Sequence, residues 1–72
     1  MFILSQNQKA LVNVRDQSIV LEATRNHKYA LKTTRDECYL GLFEYEEEAK
    51  SALHDIYVCI AKGDEVYSVR KT

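Results

Sequence analysis

A chain of 72 residues with 46% apolar content forms one small domain with a modest core, and its hydrophobicity excludes an extended disordered state. A net charge of -1 argues against a strong nucleic-acid binder, whose affinity comes from neutralising phosphates. Two cysteines are too few for a disulfide framework, and no stretch approaches the roughly 20 apolar residues of a membrane helix.

The first half reads as strands, expected over about 1–5, 10–14, 18–23, 28–34 and 38–43. Val, Ile, Thr, Tyr and Leu dominate these runs, with a period near two. Ile19, Leu21 and Ala23 share one face, opposite Val20 and Glu22. Tyr29, Leu31 and Thr33 oppose Ala30, Lys32 and Thr34, and Cys38, Leu40 and Leu42 oppose Tyr39, Gly41 and Phe43. One apolar and one mixed face suit an antiparallel sheet covered on one side. The runs are separated by Arg15-Asp16-Gln17, Arg25-Asn26-His27 and Arg35-Asp36-Glu37, at ten-residue spacing, with an earlier turn at Gln6–Lys9. Asp and Asn tolerate left-handed backbone, so the pattern predicts a meander. Successive turns of a meander alternate ends, so Arg15 and Arg35 fall at one end and Arg25 at the other. The three arginines therefore cannot form one basic patch.

From Glu46 the period changes. Ala49, Ala52, Leu53, Ile56, Tyr57 and Ile60 make one helical stripe, predicting a helix over about 46–62 that is roughly 25 Å long. Gly63 stands where a left-handed stop is expected, and Lys62 suits the negative end of the helix dipole. The segment 66–70 is expected to add a short strand, or else a tail that packs on a neighbouring molecule. The expected fold is thus α+β: a five-stranded antiparallel β-meander over residues 1–43, one long amphipathic helix packed on its apolar face, and a short C-terminal strand, all in one domain, 1–72.

Glu44, Glu46, Glu47 and Glu48 bring four carboxylates together, as a hard cation requires. On a helix, however, the last three point about 100° apart and do not converge. They fit helix initiation better: acids in the first turn face exposed amides, Glu48 is placed to reach back to the Tyr45 amide, and Glu46 pairs with Lys50. His54-Asp55 has no matched nucleophile. His27, His54, Cys38 and Cys59 lack the close pairings of a zinc site, and the cysteines read as buried thiols. No glycine-rich phosphate loop is present, since the chain has two glycines, Gly41 and Gly63. No catalytic, cofactor-binding or metal-binding residue is therefore expected. The chain holds five Tyr and two Phe. Tyr29, Tyr39 and Tyr67 with Lys28, Lys32 and Arg35 are the candidate contact residues for single-stranded nucleic acid or a partner protein.

The segments "ILSQNQKALVN" (3–13), "LGLFEYEEEAKSAL" (40–53) and "IYVCIAKGDEVY" (56–67) resemble those of small uncharacterised proteins of Gram-positive bacteria and their prophages. The shared pattern is a Leu-Ser-Gln-(Asp/Asn) start, a Leu-Gly-x-(Tyr/Phe) junction leading to an acidic helix start, and a closing Ile-x-x-x-Ile-x-x-Gly. The resemblance spans nearly the whole chain and carries a layout, with no activity, substrate or catalytic residue. One departure is Tyr45, where Ser, Thr or Asp is usual, which removes the side-chain helix cap. Composition and resemblance together lead to the expectation of a cytoplasmic, non-enzymatic interaction module, homo-oligomeric or bound to another protein and of prophage type. The alternative is a nucleic-acid-associated regulator using the Lys, Arg and Tyr residues named above.

Overall fold

The computed structural model describes residues 1–70; residues 71 and 72 of the expected domain lie outside the described residues. The elements run β1 (Phe2–Leu4), β2 (Leu11–Asn13), β3 (Ile19–Ala23), β4 (Tyr29–Thr33), β5 (Tyr39–Phe43), α1 (Glu46–Lys62) and β6 (Val66–Ser68). The class is α+β. The strands do not, however, form a single five-stranded meander: they make two three-stranded sheets, ordered β2-β1-β6 and β3-β4-β5. The meander survives in β3-β4-β5, where both ladders are antiparallel. In the other sheet β1 is central, antiparallel to β2 and parallel to β6.

The break between β2 and β3 has a local cause. The Asn13 carbonyl, which a following strand would use, accepts a hydrogen bond from Gln17 Nε2 at 2.6 Å. The Ser18 amide donates to Thr34 Oγ1 at 3.0 Å, and the Thr34 amide to the Ser18 carbonyl. Polar side chains thus end β2 and draw the chain toward β4 before a β2–β3 ladder can begin.

The turns differ from expectation in detail. Positive φ falls on Gln8, Asp16, His27 and Glu37, so only the first of the three repeated turns places its Asp or Asn there. Gln17 Oε1 accepts from the Arg35 and Asp36 amides, which joins the turns of Arg15 and Arg35 at one end of the sheet.

In β5 the alternation fails. Leu31 pairs with Gly41 but Lys32 pairs with Tyr39, leaving Leu40 as a bulge residue. Leu40, Gly41 and Phe43 are therefore buried, while Leu42 faces outward with Tyr39.

One core joins both sheets and the helix: Ile3 and Val12, then Leu31, Leu40 and Phe43, then Ala49, Ala52 and Ile56, closed by Val69. The helix packs on β3, β4 and β5. Three strands about 4.8 Å apart span much less than the roughly 25 Å of a 17-residue helix. The stripe is accordingly buried only in its first half, and Tyr57 and Ile60 are 66% and 55% exposed. Gly63 ends the helix at φ 78°, its amide bonding the Ile60 carbonyl.

Candidate interaction surfaces

The six candidate contact residues do not share a surface. Lys32 and Tyr39 lie together on the outer face of β3-β4-β5, with the Lys32 Nζ 5.9 Å from the Tyr39 ring centre. Lys32 also pairs with Glu22 at 3.1 Å. The hydrogen bond to Glu22, and then its charge, raise the lysine pKa above its ordinary value. The ammonium is thus held by a neighbouring carboxylate. Tyr29 turns inward against the core. Lys28 precedes β4 and Arg35 follows it, so they stand at opposite ends of that strand. Tyr67 belongs to the other sheet, where its hydroxyl donates to Asp55 Oδ2 at 3.5 Å.

The glutamates around the helix start act locally. Glu48 Oε1 accepts from the Tyr45 amide at 3.3 Å, and Glu46 pairs with Lys50 at 3.3 Å. Tyr45 itself provides no side-chain cap. Glu47, Glu48 and Asp55 line an open cleft beside Phe43, Tyr67 and Arg70. Burial, then the charge of Asp55, pushes the Tyr67 phenol up. Ser51 also lines this cleft, beside those carboxylates. His54 lies against Tyr57, ring centres 5.9 Å apart. Cys38 and Cys59 are free and half-buried rather than fully buried. Desolvation, followed by the Asp64 carboxylate, raises the Cys59 thiol pKa. Among the described residues, no three His, Cys, Asp or Glu side chains are grouped to hold a metal ion, and no helix is long and apolar enough to cross a membrane.

The most distinctive surface is one that the strand pattern alone does not reveal. Side chains on one face of a sheet alternate along each strand and match across the ladder. Leu4 stands opposite Leu11, and Phe2 stands beside Val66. Ile3, Val12 and Tyr67 take the inner face, so Phe2, Leu4, Leu11 and Val66 share the outer one, with Asn13 and Ser68 at two of its corners. Leu11 is 62%, Val66 58% and Phe2 41% exposed, and Leu4 is half-buried. Ile60 extends this apolar area through a shallow depression shared with Phe2 and Val66. Short strands of three residues give almost no periodicity to read, and the face exists only once β6 has joined β1.

Comparison of the chain with protein-family models, curated proteins and solved structures gives no significant match.

Proposed function

We propose that the protein is a small non-enzymatic accessory module that associates with a second copy of itself and offers the outer face of β2-β1-β6 to another protein chain. The observation that carries this reading is the contiguous set Phe2, Leu4, Leu11 and Val66, an apolar face outside the core. Exposed apolar groups are ordinary when single, whereas a continuous patch marks a contact surface. An accessory role in the cytoplasm of a Gram-positive host or its prophage belongs to the same reading and rests on the resemblance alone.

Two measurements test it. Light scattering over a wide concentration range is expected to give a mass above the monomer, and a monomer throughout counts against self-association. Leu11→Thr and Val66→Thr keep strand propensity and remove the two most exposed apolar groups of the face. They are expected to change stability by less than about 0.5 kcal/mol, as surface substitutions do. A loss of several kcal/mol would make the face part of the fold's own packing. The nucleic-acid alternative has less support, because Lys32 is paired with Glu22 and Tyr29 points inward.

A further inference from the structure

The outer edge of β3 is open. Thr34 N donates to Ser18 O, and Thr24 N to Lys28 O, so Ser18 and Thr24 are bonded positions of the β3–β4 ladder. Bonded and non-bonded pairs alternate in an antiparallel ladder. Val20 and Glu22 therefore bond β4, while Ile19, Leu21 and Ala23 direct their N–H and C=O groups away from it. Among the described residues no hydrogen bond reaches those six groups.

The remaining edges are shorter or covered. On β5, the far edge of the same sheet, Gln6 bonds both Leu40 and Leu42. On β2 the Asn13 carbonyl is taken by Gln17, and β6 has three residues. Edge strands are ordinarily blunted by Lys, Pro or a bulge. The β3 sequence IVLEA has no Pro, its one charge, Glu22, is paired with Lys32 of the neighbouring strand, and its ladder runs without a register shift.

We infer that this edge is the self-association surface, and that it takes β3 of a second copy in antiparallel register centred on Leu21. The inference rests on the reading that the protein self-associates, and it names the surface. The register is self-complementary. Leu21 faces Leu21, Ile19 faces Ala23 and Val20 faces Glu22, so no like charges meet across the strands. Shifting it by one residue would place core-side residues opposite solvent-side ones. At the ends, the turn of Arg25 approaches the turn Arg15-Asp16-Gln17, whose charges cancel. Two sheets then become one of six strands, β5-β4-β3-β3-β4-β5, and the face of Phe2 and Leu11 stays free for another chain.

Sedimentation equilibrium and amide hydrogen exchange of the whole chain test this. The wild type is expected to dimerise, with exchange at Ile19, Leu21 and Ala23 slowing as concentration rises. Val20 and Glu22 should be protected at every concentration. Ala23→Pro removes an outward N–H and should give a folded monomer by circular dichroism, because proline is tolerated where the amide faces away from the ladder. Leu11→Thr should remain dimeric. A dimer unaffected by Ala23→Pro but lost in Leu11→Thr overturns the β3 edge while leaving self-association standing. A dimer whose Ile19, Leu21 and Ala23 amides exchange freely overturns the edge independently of whether any variant folds. A wild type that stays monomeric at all concentrations overturns both.

Discussion

Gln6 and Leu42 are joined across the two sheets: the Leu42 amide donates to Gln6 Oε1 at 2.9 Å. The Gln6 amide donates to the Leu40 carbonyl at 2.8 Å, and Gln6 Nε2 donates to the Arg70 carbonyl at 3.2 Å. One residue thus ties the end of β1 to β5 and to the segment after β6. Gln6→Ala removes the two side-chain bonds and keeps the backbone one. The expected loss is about 1–2 kcal/mol, from roughly 0.5–1.5 kcal/mol per bond less compensation by water. A fall in the urea midpoint without a change in slope checks it.

Tyr45 occupies the N-cap position with φ -119° and ψ 141°, and its side chain is 66% exposed. Tyr45→Asp adds a cap without emptying the core. Stabilisation of about 0.5–2 kcal/mol is expected. A lowered melting temperature would show that the ring packs on something, in this chain or in a partner.

The two glycines fail in different ways. A Cβ on Gly41 would stand 3.1 Å from the Phe43 ring and 3.1 Å from Val69 Cγ1. Gly41→Ala is expected to cost about 1–3 kcal/mol through overpacking. Gly63 has open space around it, but its φ is 78°. Gly63→Ala is expected to cost about 1–2 kcal/mol through backbone strain alone. Gly63→Asn should recover part of that, since Asn visits the left-handed region, whereas Gly41→Asn should not. Denaturation curves of the four variants separate the two causes.

Tyr67 gives the fold a response to alkali. Its folded pKa is raised above the ordinary 10.0, first by burial and then by Asp55. An acid with a raised folded pKa contributes stability that is complete below the unfolded pKa and is lost as pH rises through the folded one. Stability should therefore decline above about pH 10, and Tyr67→Phe should flatten that decline. Melting temperatures of the two proteins across the alkaline range check the sign.

Local chemistry was legible in the sequence and long-range pairing was not. The helix limits follow from Glu46–Glu48 at one end and Gly63 at the other, and the Glu48-to-Tyr45 bond follows from their spacing. The pairing of β3, β4 and β5 follows from their alternation and ten-residue turns. The division into two sheets depends on Gln17 and Thr34, whose side chains compete with backbone partners in a way that no periodicity displays. The bulge at Leu40 inverted the outward face of β5 and hid Leu42 among the expected core residues. Nor does the helical stripe distinguish residues over a sheet from residues beyond its edge, so Tyr57 and Ile60 looked like Ile56. Of the candidate contact set, Lys32 and Tyr39 were brought together, and the other four were scattered by strand face and sheet.

The parallel ladder between β1 and β6 joins the parts of the fold that lie farthest apart in sequence. Phe2 pairs with Val66 at the opposite end of the described chain. Closing so long a loop costs more entropy than forming the hairpins of β3, β4 and β5, and non-local pairs arrive late. The hairpins of β3, β4 and β5 and the helix rest on local contacts, while β1 has only β2 beside it until β6 docks. During that wait the edge of β1 destined for β6 is bare. A bare strand edge is a template for unwanted pairing, and faster docking of residues 66–68 would shorten its exposure.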